Sequence, residues 1–164
     1  MRIQFVAVGR LKAGAESDLV ERYRARSVAI ARGLGVSGPD LVELPESRAR
    51  RTEDRQADEA QRIRDRVGPA LLVALDERAA SPSSEDFAAR LAGWRDAGRG
   101  ALAFVIGGPD GLAPEIRAGA DWAFSFGRLT LPHQIVRVLL AEQLYRALTI
   151  IAGHPYHRAG TGEP

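Results

Sequence analysis

Residues 129–158 read LTLPHQIVRVLLAEQLYRALTIIAGHPYHR, and this stretch contains all three histidines of the chain. No glycine or proline interrupts the run between Pro132 and Ala152, and apolar residues recur there at helical spacing. The pattern predicts one long helix. Because apolar side chains fill most of its circumference, we expect it to be covered both by its own sheet and by a further surface.

The residues before this helix alternate between strand and helix patterns. Apolar, β-favouring runs predict strands over residues 3–8, 41–44, 70–75, 101–106 and 122–126. Helical stretches between them are predicted over residues 15–31, 46–66, 84–98 and 114–120. This alternation predicts an α/β fold with a mainly parallel sheet flanked by helices. We expect Ser84 to cap the helix that follows it, and Thr130 and Pro132 to start the long helix.

Composition indicates a single globular domain. The chain has 164 residues with 45% hydrophobic residues and contains no cysteine, which excludes disulfides and thiolate metal sites. The N-terminal apolar run is too short for a signal peptide, and no apolar run reaches membrane length. We therefore expect a cytoplasmic protein without a membrane segment.

The basic charge is almost entirely arginine, since Lys12 is the only lysine, while the formal net charge is only +2. A GC-rich genome explains this bias, and so does phosphate recognition by the planar guanidinium group. The near balance of acids and bases favours the first explanation. The cluster of Arg48, Arg50 and Arg51 also has two interpretations. It is either part of a solvated helix or a phosphate contact.

The glycine cluster Gly107–Gly111 directly follows a predicted strand and also has two interpretations. Pro109-Asp110-Gly111 is typical of a tight turn, whereas a glycine at a strand end lets a ligand approach the backbone. The spacing matches neither the dinucleotide fingerprint nor the P-loop. Ligands of parallel sheets lie at the carboxyl ends of the strands, so Leu75, Gly107 and the loop after the last strand are candidate binding positions.

Several motifs occur together in a fixed order along the chain. They are FVIGGPDGL at 104–112, LTLPH at 129–133, VRVL and EQLYRA within the long helix, and HPYHR at 154–158. In these motifs the sequence resembles the small bacterial ribosomal RNA methyltransferases of the SPOUT, or α/β-knot, superfamily that methylate N3 of a pseudouridine in 23S rRNA. The resemblance spans nearly the whole chain in length and element order.

The resemblance implies a fold and a set of partners. It implies a C-terminal trefoil knot, S-adenosylmethionine as the cofactor, a homodimer, and 23S rRNA within the large subunit or the 70S ribosome as the substrate. One domain is expected over residues 1–158, followed by a flexible tail at 159–164. Methyl transfer from a sulfonium needs no metal, and we expect none.

The resemblance also assigns site residues. It places the cofactor against Leu75, Gly107, Phe126, Gly127, Arg128, Leu129, Thr130 and Leu131. It places three C-terminal residues against the target nucleotide, with His157 as the proton acceptor or orienter, Tyr156 as a stacking or hydrogen-bonding group, and Arg158 on a phosphate or on the base anion.

Three further residues are expected near the substrate, with alternatives left open. His133 contacts the substrate or packs at the helix start. Glu142 pairs with Arg146 within the helix or orients the tail of a partner chain. His154 lies beside the catalytic tail. A metal pair formed by His154 and His157 is disfavoured, because the sequence has no cysteine and no carboxylate near them.

Two other functions remain as alternatives at this stage. The first is an α/β nucleotide-binding enzyme of another kind, in which Gly107–Gly111 holds a phosphate and the protein binds NAD or ATP. The second is a non-catalytic RNA-binding or ribosome-binding module, whose loss leaves the modification profile of the RNA unchanged.

Overall fold

The computed structural model describes residues 1–157, and in that range five parallel strands form one sheet. The strands are β1 (Arg2–Val8), β2 (Ser37–Leu44), β3 (Leu71–Leu75), β4 (Ala101–Ile106) and β5 (Trp122–Phe124). They follow the spatial order β2-β1-β4-β3-β5. Parallel neighbours need crossover connections, and here helices provide them.

The helices cover both faces of this sheet. They are α1 (Ala15–Ala31), followed by a 3₁₀ turn (Arg32–Leu34), then α2 (Thr52–Val67), α3 (Ser84–Asp96), α4 (Pro114–Ala118) and α5 (His133–Ile151). Helices α1, α3 and α5 pack on one face, and α2 and α4 pack on the other. The three layers place every loop after a strand at the same edge of the sheet.

The central strands are buried on both faces, which explains their unbroken apolar runs. In β1, Phe5 packs with the α1, α3 and α5 layer, while its neighbour Val6 packs with the α2 and α4 layer. Phe5 meets Phe104 of β4 edge-on, with 5.9 Å between ring centroids. These contacts fix β1 and β4 as the middle of the core.

The predicted order of strands and helices is confirmed, but some bounds differ. Strand β2 begins at Ser37 rather than residue 41, because its first residues pair with the start of β1. Helix α2 begins at Thr52 rather than residue 46. The residues before it form a loop in which the Ser47 amide donates to Glu59 and the Ser47 hydroxyl donates to Asp58. The last strand ends at Phe124 rather than residue 126.

The helix caps also differ from the expectation. The N-cap of α3 is Ser83 rather than Ser84: its hydroxyl oxygen accepts from the Asp86 amide at 3.0 Å. Ser84 instead donates to Gln143 of α5 at 2.8 Å. Pro132 is the N-cap of α5 as expected, whereas the Thr130 hydroxyl donates to Glu77 in another loop. The hydrogen-bond partner of each of these hydroxyl groups is therefore determined by tertiary contacts as well as by the local sequence.

Helix α5 is deeply buried on the side that faces the sheet, where Leu140, Leu144 and Leu148 have no exposed surface. It packs against both α1 and α3. Its opposite side is only partly covered, and Ile135 keeps 37% of its surface exposed. Within residues 1–157 no helix is both long enough and apolar enough to cross a lipid bilayer.

Candidate active site

A cavity of about 460 Å³ lies at the carboxyl edge of the sheet, where the loops after β3, β4 and β5 meet. This volume is in the range of small-molecule sites. Apolar and polar side chains share its wall. The apolar ones include Leu75, Ile106, Phe124, Phe126, Leu131 and Val136, and the polar ones include Gln56, Asp76, Glu77, Arg78, Asp110, Arg117 and Ser125.

The glycine cluster forms one side of the cavity. Gly108 and Gly111 close a tight turn in which the Gly111 amide donates to the Gly108 carbonyl at 3.0 Å. A Cβ at Gly107 would lie 2.7 Å from the Gly111 carbonyl carbon and 2.8 Å from the Leu112 nitrogen. The turn therefore folds back onto Gly107 more closely than any side chain permits, and the backbone itself forms the wall.

An ion pair holds this turn against helix α2. The Arg55 guanidinium donates to both carboxylate oxygens of Asp110, at 2.6 and 3.0 Å, and Gln56 donates to the Asp110 carbonyl at 2.8 Å. Arg55 also donates to the carbonyls of Ala49 and Arg50. The hydrogen bond from Arg55 holds the pKa of Asp110 below its usual value. One arginine thus joins the glycine turn, α2 and the preceding loop.

A second ion pair closes the floor of the cavity between β3 and α4. Arg117 lies 3.4 Å from the Asp76 carboxylate and donates to the Leu112 carbonyl at 2.6 Å. Asp76 directly follows β3, and its amide donates to the Phe124 carbonyl of β5. The charge of this half-buried carboxylate is therefore balanced within the protein.

The loop after β5 forms the third side. Ser125 and Gly127 are joined by two short hydrogen bonds, and the Thr130 hydroxyl donates to Glu77 of the neighbouring loop at 3.1 Å. Leu129 exposes 78% of its surface although it lines the cavity. An apolar side chain left open at the mouth of a cavity offers contact area to whatever binds there.

The structure brings together six of the eight residues predicted to bind the cofactor. Leu75, Gly107, Phe126, Leu129, Thr130 and Leu131 line the cavity, while Gly127 and Arg128 belong to the same loop without lining it. Their role as cofactor contacts stays a prediction. Sequence reasoning missed Asp76, Arg78, Arg117 and Ser125. The position of Asp76 just after a buried strand was the one available signal for any of them.

The C-terminal residues form a separate cluster on α5. Tyr156 donates its hydroxyl to Glu142 at 3.2 Å, and Arg146 donates to the same carboxylate oxygen at 3.0 and 2.6 Å. The Arg146 guanidinium lies 5.1 Å from the centroid of the Tyr156 ring. The centroids of the Tyr145 and Tyr156 rings are 4.7 Å apart. Burial, with the nearby Tyr23 and Glu142, raises the pKa of Tyr156 to about 12. Tyr156 is therefore a neutral hydrogen-bond donor at physiological pH.

The histidines occupy three different environments. His157 is held by Glu85 of α3, with 2.8 Å between Nε2 and Oε1, and its buried Nδ1 has no partner within residues 1–157. The pKa of Glu85 is lowered by its own backbone amide and by His157. His154 is exposed and accepts from the Tyr156 amide at 3.2 Å. His133 is the half-buried first residue of α5. Arg158 and the predicted tail 159–164 lie outside the described residues.

The predicted substrate residues do not reach the cavity of their own chain. None of His133, Glu142, His154, Tyr156 and His157 lines it. The pairing of Glu142 with Arg146 within the helix, one of its two interpretations, is present. Among the described side chains no group of three or more histidines and carboxylates is placed to hold a metal ion.

Comparison with known proteins matches this chain at the level of both sequence and fold. The family model described as "Predicted SPOUT methyltransferase" matches residues 1–157. A relative from Methylorubrum populi, named ribosomal RNA large subunit methyltransferase H, is 56% identical over 100% of this chain and 99% of its own. A relative of the same name from Xanthobacter autotrophicus is 55% identical over 97% of this chain and 100% of its own.

Two solved structures share the fold. A probable methylase family protein from Haemophilus influenzae superposes with a TM-score of 0.53 at 15% identity, covering 95% of this chain and 70% of that one. A probable methyltransferase from Bordetella pertussis superposes with a TM-score of 0.52 at 17% identity, covering 89% of this chain and 95% of that one. At these identities the likeness shows the fold alone.

Because the backbone of Gly111 and Leu112 lies so close to Gly107, we expect any side chain at position 107 to destabilise the protein. Gly107→Ala should lower the free energy of unfolding by about 1–3 kcal/mol, because the added methyl meets backbone atoms that cannot rotate away. Gly100→Ala is the matched control, since nothing lies within 4 Å of a Cβ built there. Urea denaturation measures both. Equal midpoints for the two variants would contradict the close approach.

The pair of Asp110 and Arg55 predicts an acid-sensitive contribution to stability. Because the pKa of Asp110 is lower in the folded chain than its ordinary 3.8, its contribution is fully present above about pH 4 and is lost as pH falls through the folded value. Asp110→Asn should therefore reduce stability at pH 7 and flatten its decline as the pH falls below about 4. Thermal melts from pH 7 to below about pH 4 test the prediction. The control is Asp54→Asn, which removes an exposed carboxylate from α2, the helix that carries Arg55.

Proposed function

The chain belongs to the SPOUT methyltransferase family, and from that membership we propose that it transfers the methyl group of S-adenosylmethionine to RNA of the large ribosomal subunit. The observation that carries the proposal is the cavity made by the loops after β3, β4 and β5. The names of the curated relatives support a ribosomal RNA substrate. From the sequence motifs we infer that the target is N3 of a pseudouridine in 23S rRNA.

The cavity suits the cofactor in size and chemistry. Adenine is flat and neutral, so aliphatic walls and backbone groups are sufficient to recognise it, and Leu75, Phe126 and Leu131 provide such walls. Gly107 has no side chain to keep a ligand away from the backbone turn. We assign the cofactor contacts to these residues together with Gly127, Arg128, Leu129 and Thr130.

The reaction is a direct displacement. Bound S-adenosylmethionine would supply a sulfonium methyl group, and N3 of the base would displace it: the N–C bond would form as the C–S bond breaks, with a neutral thioether as the leaving group. The N3 proton must go to an acceptor. The protein therefore has to align nitrogen, carbon and sulfur and to provide one proton acceptor.

The C-terminal residues are proposed to act on the base. His157 is the acceptor or orienter of the proton, and Glu85 fixes the direction of its ring. Tyr156 stays protonated, since its pKa is about 12, so it serves as a stacking or hydrogen-bonding group rather than as the base. Arg158 is assigned to a phosphate or to the base anion, with Glu142, His154 and His133 as neighbouring substrate contacts.

A homodimer brings the cavity of one protomer and the C-terminal residues of the other together. Because the C-terminal cluster does not line the cavity of its own chain, we propose that the cavity of one protomer is completed by the C-terminal residues of its partner. The partly covered side of α5, with Ile135 exposed, is available for the partner. Family membership also supports the expected trefoil threading of the chain that leads into α5.

The substrate is proposed to be 23S rRNA within the large subunit or the 70S ribosome, which places the protein in the cytoplasm. Family membership favours this function over the two alternatives raised by the sequence. A phosphate-binding role for Gly107–Gly111 is further disfavoured because the Asp110 carboxylate, bound to Arg55, lies in that turn.

The function predicts a specific loss of RNA modification. In a strain without the gene, mass spectrometry of 23S rRNA should show one pseudouridine lacking one methyl group, and the purified protein should restore it with S-adenosylmethionine. Calorimetry should detect S-adenosylmethionine binding and no binding of NAD or ATP. An unchanged modification profile would favour the non-catalytic alternative.

The composite site predicts complementation between two inactive variants. Arg158→Ala should bind S-adenosylmethionine normally and fail to transfer methyl, whereas Gly107→Ala should fail to bind it. Dimers that mix the two contain one intact cavity facing one intact tail, so an equal mixture should recover about a quarter of wild-type activity. If mixed dimers form and stay inactive, each site belongs to one chain.

A further inference from the structure

Exposed cations lie on four of the loops at the edge of the sheet that holds the cavity. Arg10 and Lys12 follow β1, Arg48 and Arg50 follow β2, Arg78 follows β3, and Arg128 follows β5. All six residues are exposed, and Arg78 lines the cavity itself. Since the strands are parallel, all four loops lie at the carboxyl edge of the sheet. We call these six residues the cationic rim.

The carboxylates at this edge balance the positive charge of the rim only in part. Within residues 1–157 none of the six cations forms an ion pair. Of the four carboxylates on the loops at this edge, Asp76 and Asp110 are paired with Arg117 and Arg55, and Glu46 and Glu77 are exposed and form no ion pair among the described residues. The rim therefore carries an excess of positive charge that is free to act on a ligand.

Exposed cations are more numerous at this edge than at the opposite, amino edge of the sheet. The loops at the carboxyl edge carry seven cations and four carboxylates. The loops at the amino edge carry two cations, Arg32 and Arg99, and one carboxylate, Asp121, and the N-terminal ammonium also lies there. Several cations spaced along one edge are therefore found only beside the cavity, among the described loops.

The loop that carries Arg48 and Arg50 is held directly beside the cavity. Arg55 donates to the carbonyls of Ala49 and Arg50 and at the same time to Asp110, whose turn lines the cavity. One side chain therefore fixes the distance between these two rim arginines and the cavity wall.

The other rim loops are connected to the cavity in the same way. The Leu11 amide donates to Glu43 at 2.6 Å, and Glu43 also accepts from Arg137, which is next to the cavity residue Val136. The loop with Arg78 lines the cavity and accepts the Thr130 hydrogen bond from the loop with Arg128. The rim is thus a fixed surface around one opening.

The extent of the rim matches a polyanion better than a single small ligand. From β2 to β5 it crosses four strand spacings, about 19 Å. Five of the six cations are arginines, whose planar fork suits phosphate oxygens. Repeated phosphates along a nucleic-acid backbone are the ligand that fits several separated cations at once.

We propose that the cationic rim binds the phosphates of the RNA segments that flank the target nucleotide, and so presents that nucleotide to the cavity. The proposal rests on the proposed function and adds to it the surface that docks the RNA. Recognition through the rim is by backbone charge and shape and carries no base sequence. We assign selection of the base to the cavity and the C-terminal residues.

Two double variants of equal charge test the proposal. Arg48→Ala with Arg50→Ala removes two rim cations that do not line the cavity. Arg32→Ala with Arg99→Ala removes two exposed cations from the amino edge, neither of which forms an ion pair within residues 1–157, and is the matched control. Arg10→Ala with Lys12→Ala repeats the test on a second rim loop. Binding is measured against salt concentration, using protein-free 23S rRNA and large subunits from the strain without the gene.

The rim variants should bind RNA more weakly and with a smaller salt dependence. Losing two phosphate contacts lowers the slope of log K against log salt by about 1.4 to 1.8, while the control keeps the wild-type slope. S-adenosylmethionine binding by calorimetry should be unchanged in all variants, which shows that the cavity is intact.

Three results would overturn the proposal. Rim variants that keep the wild-type slope would show that the rim does not contact phosphates. An equal loss in the control would show a general charge effect. Weaker binding to large subunits with unchanged binding to protein-free RNA would assign the rim to an acidic ribosomal protein instead. Failure of the proposed function is recognised separately, because wild-type protein would then neither bind S-adenosylmethionine nor methylate RNA.

Discussion

The buried guanidinium of Arg137 is the contact on which the arrangement of the carboxyl edge depends. It is 1% exposed and donates to the carbonyls of Val8 and Gly9 at 2.9 and 2.8 Å and to Glu43 at 2.8 Å. Burial lowers the pKa of Arg137, and Glu43 opposes that effect. A charge this deeply buried is tolerated only where hydrogen bonds hold it. Nη1 and Nη2 have such partners, while the buried Nε has none among the described residues, so α5 must sit where β1 and β2 end.

That constraint has consequences for the cavity. The residue before Arg137, Val136, forms part of the cavity wall, and the loop from β5 has to reach the start of α5 from across the sheet. The loop therefore passes over the ends of β3 and β4, where Thr130 meets Glu77. Parallel pairing brings the strand ends together, and the anchored helix determines how the last loop closes over them.

Charged groups at this edge fall into two classes with different physical roles. The pairs Arg55 with Asp110 and Arg117 with Asp76 are half-buried and hold backbone turns in place. The cations of the rim are exposed and have no such partner within the described chain, so they add little to folding and remain available for phosphates. Paired charges shape the cavity, and unpaired ones surround it.

Much of the fold follows from sequence patterns. Buried strands such as Ala101–Ile106 have continuous apolar runs, and the helix Ala15–Ala31 ends at a glycine-rich segment, so both were predictable with their bounds. The turn at Gly108–Gly111 was also predictable, because Pro-Asp-Gly favours that conformation. Local patterns did not predict contacts between residues distant in sequence. Ser84 bonds Gln143, so that Ser83 caps α3 in its place, and the Thr130 hydroxyl donates to Glu77.

The candidate site divides in the same way. The sequence by itself determined the family, which is confirmed. Its short motifs also supplied the candidate cofactor residues and the candidate C-terminal substrate residues, which stay predictions. Only the tertiary structure decided which of them meet: Leu75, Gly107 and Leu131 surround one cavity, while Tyr156 and His157 pack on α5 and α3 away from it. The pairing of Asp76 with Arg117 was likewise out of reach of the sequence. For the rim, the sequence indicated only a phosphate contact at Arg48 and Arg50 as one of two interpretations, and not the loops that lie beside them. The physical reason is that parallel strands collect residues from remote positions at one edge, and a linear pattern does not contain those distances.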